Sequence, residues 1–185
     1  MQPDLKIIDI IHLVAEGNET AFEKLYYIYY DRLFRFAMHI VKNEMCCEEV
    51  VSDVFLNIWQ IREKLPTIAD LEAYLYKSVK NTALHYVDKE SRRPKCEELS
   101  LSIEYMPDDS DPENMMIYDE LNKTLTDVIE SLPERCRLIF KLAREDGFPY
   151  KKISEVLDIS VKTIDAQMRI ARQKIEEAVK NFYAL

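Results

Sequence analysis

The residues best suited to contact another molecule lie near the C-terminal end of the chain, in a pattern of two short helices. Residues 150–157 predict an amphipathic helix, and apolar residues at alternating steps of three and four predict a second helix from Val161 onward. Ser160 can cap this second helix, because its side-chain oxygen can accept from an amide of the first turn. Polar side chains on the outward side of such a helix can contact base edges and phosphates in a DNA major groove. The predicted DNA contacts are Ser160, Lys162, Thr163, Asp165, Ala166, Arg169 and Gln173.

An ordinary pair of amphipathic helices is the alternative interpretation of this segment, since any such pair has a polar face. The short turn, the serine cap and the basic outward side together favour a DNA-binding helix-turn-helix. Arg169 lies nearly opposite the apolar stripe, so we expect it to bind either a guanine or a phosphate. Lys162, near the start of the helix, is predicted to contact a phosphate.

A second basic segment lies in the middle of the chain. Residues 74–95 contain six Lys/Arg and two Asp/Glu, although the whole chain has a net charge of −9. In the predicted helix 71–89, Tyr74, Tyr76 and Tyr86 lie among lysines. This combination suits single-stranded DNA, because bases stack on aromatic rings while ammonium groups follow the backbone.

The alternative for helix 71–89 is a core helix that buries Leu75, Val79 and Leu84 and keeps its lysine ammonium groups in water. Tyr76 falls near that apolar stripe and is predicted to belong to the core. Asp70 precedes the helix and is predicted to cap it.

Acidic and amide side chains share one face of the predicted helix 46–60. Glu49, Asp53 and Asn57 are spaced four residues apart, and Val50, Val54 and Ile58 form the adjacent apolar face. From the residues alone, a solvated acidic face is the better interpretation. A docking surface for a partner protein is the alternative.

The composition predicts no catalytic or cofactor site. Two glycines leave no glycine-rich phosphate loop, the four cysteines contain no C-x-x-C pair, and the three histidines are far apart in sequence. We therefore expect no enzyme activity, no metal, no cofactor and no small-molecule substrate. No apolar run approaches the roughly 20 residues that span a bilayer, and the first residues lack a signal-peptide pattern, so we expect a cytoplasmic protein.

Helical periodicity dominates the chain and predicts an all-α fold of two small domains. We assign residues 1–90 and 118–185 to the two domains, and residues 91–117 to a flexible acidic linker between them. Residues 96–118 contain seven Asp/Glu and no Lys/Arg, together with Pro107 and Pro112, which is typical of a linker. The predicted helices lie at about 4–16, 19–42, 46–60, 71–89, 117–130, 134–145, 150–157 and from 161 onward.

The sequence also predicts the apolar stripe of the first helix and a capping box between two later helices. In the first helix, Leu5, Ile8 and Ile11 are predicted to form the apolar stripe together with Ile7/Val14. Between the helices at 117–130 and 134–145, Ser131 and Glu134 are predicted to form a capping box, with a proline in the first turn.

Two segments, in this order, resemble a known family. The run from Glu48 to Trp59, Glu-Glu-Val-Val-Ser-Asp-Val-Phe-Leu-Asn-Ile-Trp, is similar to the second-region helix of sigma-70-type sigma factors. Leu132-Pro133, followed by Arg137 and the helix-turn-helix, resembles their fourth region. Since the chain has only these two domains and a short linker, it resembles the extracytoplasmic-function (ECF) group. The resemblance covers about residues 20–90 and 118–180.

The resemblance implies a promoter-specificity subunit that binds core RNA polymerase and promoter DNA. Glu49, Asp53 and Asn57 would dock on the clamp helices of the polymerase, and the second domain would recognise the minus-thirty-five element. The loop 64–70 would hold a flipped base, and an anti-sigma factor is a common partner in the family. The residues assigned to the melted minus-ten element are Tyr74, Lys77, Lys80, Asn81 and His85.

Three positions depart from the family pattern. Ser52 replaces the usual glutamine, Asp158 replaces a common turn glycine, and Ile170 stands where an arginine is frequent. Asp158 remains compatible with the turn, because aspartate adopts the left-handed conformation more readily than most residues.

Two other classes of protein remain as alternatives. A helix-turn-helix regulator acting without polymerase would need only the second domain. A helical adaptor with no DNA role fits the acidic composition but leaves both basic segments unexplained.

Overall fold

The computed structural model describes residues 6–91 and 112–183, with side chains described for 6–89 and 120–183. Every regular element in these ranges is helical, which confirms the predicted all-α fold. Two compact units make up the chain: α1–α4 lie in the first, and α5, α6, α8 and the start of α7 lie in the second. The helices are α1 (Ile7–Ala15), α2 (Glu19–Val41), α3 (Glu44–Gln60), α4 (Leu71–Ser91), α5 (Pro112–Glu130), α6 (Glu134–Arg144), α7 (Tyr150–Leu157) and α8 (Val161–Tyr183). A short 3-10 helix at Arg62–Thr67 connects α3 to α4.

Most of the predicted linker 91–117 lies outside the described residues, so its flexibility and the domain boundaries stay predictions. One difference concerns α5, which begins at Pro112 rather than near residue 117. A proline fits the first turn of a helix, where its missing N–H is not needed.

Helix α2 forms the centre of the first unit, and α1, α3 and α4 pack against it. The apolar face predicted for α3 is buried, as Val50, Val54 and Ile58 are at most 2 % exposed. Burial of this face fixes which side of α3 points to solvent. The largest fully buried side chains of the unit are Val14, Leu25, Leu33, Val50, Ile58, Leu65, Leu75 and Tyr76.

Two predicted apolar stripes are partly wrong. In α1, Val14 of the predicted stripe is buried and Ile11 is half-buried, which agrees with the prediction. Ile7 and Ile8 are exposed and Ile10 is buried instead, while Leu5 lies outside the described residues. In α4, Ala83 is buried and Leu84 is 52 % exposed. Adjacent residues differ by only about 100° around a helix, so the position of the neighbouring helix decides which of them faces the core.

Side chains cap the N-termini of three helices in the first unit. Asn18 accepts from the Ala21 amide at 2.9 Å, and Asn43 accepts from the Cys46 amide at 3.0 Å. Asp70 accepts from the amide of the third residue of α4 at 2.8 Å, which confirms the predicted cap.

The capping box predicted for α6 is wrong. The Ser131 hydroxyl donates to the Val128 carbonyl at 2.7 Å, and the N-cap of α6 is Pro133, which has no side-chain cap. Ser131 still belongs to the end of α5, since its amide donates to the Asp127 carbonyl at 2.9 Å. Its hydroxyl therefore satisfies a carbonyl of the preceding helix rather than an amide of the next one.

In the second unit, α8 packs against α5 and α6. Leu132, Cys136 and Ala171 form a buried cluster, and the Cys136 thiol donates to the Gln167 carbonyl at 3.2 Å. Glu130, at the end of α5, pairs with two basic residues of α6, Arg137 at 2.8 Å and Lys141 at 2.9 Å. The thiol hydrogen bond joins α6 to α8, and the two ion pairs join α5 to α6.

Across residues 6–91 and 112–183, no helix is both long enough and apolar enough to cross a membrane. The same residues contain no cluster of three or more His, Cys, Asp or Glu suited to hold a metal ion.

Candidate nucleic-acid interface

The turn between α7 and α8 has a left-handed residue at its centre. Asp158 has φ 54° and ψ 48°, so this aspartate adopts the left-handed conformation that the sequence predicts for the turn. The Ser154 hydroxyl donates to the Ile159 carbonyl at 2.5 Å, and the Ile159 amide donates to the Ser154 carbonyl at 3.2 Å. These hydrogen bonds fix the direction in which the chain enters α8.

We expect the substitution Asp158→Val to destabilise the second unit by about 1–2 kcal/mol, because a β-branched residue is strained at positive φ. The control Asp158→Gly removes the same carboxylate and should lose less stability than Asp158→Val, since glycine adopts positive φ at no steric cost. Urea unfolding of the full chain, followed by circular dichroism, measures both effects. Equal stability of Asp158→Val and the wild type would contradict a strained turn.

The predicted N-cap of α8 is confirmed. Ser160 Oγ accepts from the Thr163 amide at 3.0 Å, and the Ser160 and Thr163 hydroxyls are 2.8 Å apart. Both hydroxyl groups therefore take part in hydrogen bonds at the start of α8, near its outward side.

Helix α8 separates an apolar from a polar side. Of the predicted stripe Val161, Ile164, Met168, Ala171 and Ile175, the middle three residues are buried and Ile175 is half-buried. Val161 is wrongly placed in the predicted stripe, since it is 45 % exposed in the first turn of α8. On the opposite side, the Arg169 and Asp165 side chains are 76 % and 67 % exposed, and Arg169 Nη2 lies 4.0 Å from Asp165 Oδ2. An exposed pair at this distance contributes little to stability, so both groups are available to a ligand. Of the other predicted contacts, Ser160, Lys162 and Gln173 are exposed, and Thr163 and Ala166 are half-buried.

The outward side of α4 carries most of its predicted contacts. Lys77, Asn81 and His85 are exposed, and Tyr74 and Lys80 are half-buried. Lys77, Asn81 and His85 lie at steps of four along the helix, so these three residues form one continuous surface.

The other two tyrosines of α4 point away from this surface. Tyr76 is fully buried, as predicted, with its ring centroid 5.0 Å from that of Phe36 and 5.9 Å from the Arg32 guanidinium carbon. Tyr86 reaches α3, where its hydroxyl donates to Asp53 Oδ2 at 2.9 Å. Of the three tyrosines that suggested base stacking, only Tyr74 remains on the candidate surface.

The acidic face of α3 is exposed, as its spacing predicts. Glu49, Asp53 and Asn57 all point to solvent. Tyr86 lies beside two of these residues, and its pKa is raised to about 12, first by its hydrogen bond to Asp53 and further by partial burial and the charges of Asp53 and Glu49. The sequence does not predict this contact, because the two partners are 33 residues apart and no local pattern connects them.

Two apolar residues also lie on the outward side of α3, where the sequence pattern did not place them. Met45 is 75 % exposed and Leu56 is 61 % exposed. Leu56 lies three residues after Asp53 and therefore borders the acidic face. An exposed apolar side chain next to charged ones is the usual composition of a protein–protein contact.

The 3-10 helix Arg62–Thr67 occupies most of the predicted base-holding loop. Leu65 anchors it in the core, while Pro66 and Thr67 are exposed. The Arg62 guanidinium carbon lies 4.9 Å from the centroid of the Trp59 ring, and the same guanidinium donates to the Trp59 carbonyl at 3.0 Å. These contacts hold the connection between α3 and α4 against the end of α3.

Two family models match the chain, in the order of its two units. The model of sigma-70 region 2 matches residues 25–93, and the model of sigma-70 region 4 matches residues 123–175. Together they cover well over half of the chain and include the outward faces of α3, α4 and α8.

Curated relatives match along nearly the whole chain. The ECF RNA polymerase sigma-E factor of Escherichia coli K12 is 26% identical over 179 residues, which span 92% of this chain and 93% of the relative. The sigma-E factor of Haemophilus influenzae is also 26% identical over 179 residues, spanning 92% of this chain and 94% of the relative.

Two solved structures share the fold. CnrH, in complex with the cytosolic domain of CnrY, matches with a TM-score of 0.56 and 19% identity over 94% of this chain and 97% of its own. The sigma factor RpoE of Bartonella quintana, in complex with the anti-sigma factor NepR, matches with a TM-score of 0.63 and 18% identity over 86% of this chain and 96% of its own.

A region 2 unit followed by a region 4 helix-turn-helix unit defines a transcription initiation factor. The chain belongs to the sigma-70 family of RNA polymerase sigma factors, in its ECF group. The family interpretation is thus confirmed over a stand-alone regulator and a helical adaptor.

Proposed function

We propose that this chain binds core RNA polymerase through α3, holds the melted minus-ten element on α4, and recognises minus-thirty-five duplex with α8. The observation that carries the proposal is the presence, in one chain, of three outward faces of different chemistry. The face of α3 is acidic with an apolar border, that of α4 is basic with one tyrosine, and that of α8 combines cations with hydrogen-bonding groups. Each face suits a different ligand.

The outward side of α8 suits duplex DNA. Its early turns carry Lys162 and Arg169 with one acid, Asp165, so the helix attracts phosphates. A guanidinium can bond both acceptors of a guanine, and a carboxylate can accept from a cytosine amino group. The Arg169 and Asp165 side chains, 4.0 Å apart, could therefore contact neighbouring base pairs.

The outward side of α4 suits single-stranded DNA. Lys77 and Lys80 can follow a phosphate backbone, while Asn81 and His85 offer hydrogen bonds to unpaired base edges. Tyr74 is half-buried, and a base can stack on the exposed part of its ring. The neighbouring 3-10 helix is where, by resemblance to the family, a flipped base would be held.

The acidic composition supports dependence on polymerase. The net charge of −9 lowers the non-specific affinity of the free chain for DNA, which depends strongly on charge. We propose that core polymerase supplies the remaining affinity and that the chain performs no chemistry itself. Its site of action would be the cytoplasm, where the promoters are.

A regulatory partner is also proposed. Both structural neighbours were solved with a partner protein, which in the case of RpoE is an anti-sigma factor. By analogy, we propose that an anti-sigma protein binds this chain and blocks its access to polymerase.

Transcription in vitro tests the proposed function. Purified chain is mixed with core polymerase and a library of promoter fragments, and run-off transcripts are sequenced to find their start sites. A defined start site that depends on both the chain and the core supports the proposal. Binding to DNA with no effect on polymerase would instead indicate a stand-alone regulator, and neither activity would indicate an adaptor.

We expect the substitution Asn81→Ala to impair promoter melting more than binding of upstream duplex, and Lys80→Ala to act in the same direction. Asn81 is exposed, so its loss should not alter the fold. Tyr74→Ala should cost about 1–3 kcal/mol if a base stacks on its ring. Permanganate reactivity of promoter thymines, compared with electrophoretic binding of the duplex, measures melting separately from binding.

The control for this prediction is Lys123→Ala, which removes an exposed lysine of α5. If the loss of a positive charge alone explained the effect, Lys80→Ala and Lys123→Ala would lower promoter melting equally. Normal thymine reactivity in the Asn81, Lys80 and Tyr74 variants would remove α4 from the minus-ten contact.

A further inference from the structure

One hydrogen bond joins the acidic face of α3 to α4. The Tyr86 hydroxyl donates to Asp53 Oδ2 at 2.9 Å, across 33 residues of sequence. Tyr86 is half-buried between the two helices, while Asp53 is exposed. The hydroxyl thus reaches from the edge of the core to a carboxylate on the proposed docking face.

The position of Tyr86 on α4 explains this direction. Tyr86 follows the buried residues Leu75 and Val79 at helical steps of eleven and seven, so it lies on their side of the helix. Lys77 and Asn81 lie on the other side. A ring in this position contacts α3 rather than a nucleic acid strand bound to the outward side of α4.

The Tyr86 hydroxyl is protonated at neutral pH and can therefore donate a hydrogen bond. Its pKa is raised to about 12, because ionisation would break the hydrogen bond to Asp53 and place two negative charges side by side. The phenol therefore keeps its proton at neutral pH and loses it, together with the hydrogen bond, as the pH rises through about 12.

We infer that Tyr86 is a positioning residue for polymerase docking, which holds the Asp53 carboxylate in the orientation that a cationic group of the polymerase binds. This inference rests on the proposed docking role of α3. With Oδ2 engaged by the phenol, Oδ1 remains available to a lysine or arginine of the partner. An oriented carboxylate loses less side-chain freedom on binding, which strengthens association without any new contact.

The substitution Tyr86→Phe tests the inference, because it keeps the ring and removes only the hydroxyl. Affinity for core polymerase should fall roughly threefold to tenfold, as expected for one net hydrogen bond. Promoter melting at saturating core should be unchanged. If Tyr86 instead stacked on a base, phenylalanine would preserve both properties, and that result would overturn the inference.

Tyr27→Phe is the matched control, since it removes the same atom from a tyrosine of α2 that is 69 % exposed. It should leave affinity for core polymerase unchanged. An equal loss of affinity in both phenylalanine variants would show a general effect of losing a hydroxyl and would also overturn the inference.

A double-mutant cycle separates this inference from the docking proposal. Asp53→Ala is used because asparagine would still accept from the phenol. If Asp53→Ala lowers core affinity and Tyr86→Phe lowers it no further in that background, Tyr86 acts through Asp53. Additive losses would refute the coupling, and wild-type affinity of Asp53→Ala would refute the docking proposal together with the inference.

Ring-labelled tyrosine NMR gives a readout that is independent of binding. In the free protein, the Tyr86 resonance, assigned with Tyr86→Phe, should titrate near pH 12 and should shift toward the ordinary value of about 10 in Asp53→Ala. A Tyr86 titration near 10 in the wild type would show that the hydrogen bond does not hold in solution and would overturn the inference.

Discussion

Reversing the charge at Asp53 is expected to lower affinity for core RNA polymerase by at least about tenfold, since like charges placed opposite each other in an interface cost several kcal/mol. Helix α3 should remain folded in Asp53→Lys, because its stability depends on the buried Val50, Val54 and Ile58 rather than on the exposed carboxylate. Titration of labelled chain with core polymerase measures the affinity. The wild-type affinity should also fall as salt concentration rises, and that dependence should be weaker in the variant.

Glu16→Lys is the matched control for this experiment. Glu16 is exposed at the end of α1, where a lysine is favourable because it lies near the C-terminus of the helix. The control changes net charge by the same amount away from α3, so it should keep wild-type affinity. Unchanged affinity in Asp53→Lys, with unchanged circular dichroism, would exclude Asp53 from the interface.

The second large effect is expected on α8. If Arg169 binds a guanine, Arg169→Ala should lower transcription from the best minus-thirty-five element about 5-fold to 150-fold, which corresponds to a loss of about 1–3 kcal/mol. Preference at one position of the element should relax at the same time. Transcription from a panel of single-base variants, each with wild-type and Arg169→Ala protein, measures both effects.

Lys162→Ala should behave differently if this lysine contacts a phosphate. All sequences should then weaken alike, and the slope of log affinity against log salt should fall by about one. Arg172→Ala is the control, since it removes a similar charge from the flank of the same helix and should have the smaller effect. Wild-type behaviour of Arg169→Ala and Lys162→Ala together would show that α8 does not meet DNA as proposed.

The sequence by itself determined the helical class, the helix-turn-helix and the outward faces of α3 and α8. These features depend on interactions between residues a few positions apart. Ser160 and Asp70 cap helices through amides three residues away, and Asp158 provides the left-handed turn through its own backbone. Local patterns of this kind can be recognised in a single sequence.

Only the tertiary structure decided which of two neighbouring residues faces the core. The sequence placed Leu84 in the apolar stripe of α4, but the packing of the helix buries Ala83. Similarly, the Ser131 hydroxyl donates to a carbonyl at the end of α5 instead of accepting from an amide of α6. The two possible apolar stripes of α4 differ by a small rotation of the helix, and the two possible partners of Ser131 lie a few residues apart. Local propensity does not resolve either difference.

The contact between Tyr86 and Asp53 was also decided by tertiary structure alone. The sequence grouped Tyr86 with the DNA-binding residues of α4 because it lies among lysines. Its side chain reaches α3 because the two helices pack together with these positions facing each other. The rotation and crossing of packed helices depend on many buried side chains at once, and so a hydrogen bond across 33 residues leaves no pattern in the sequence.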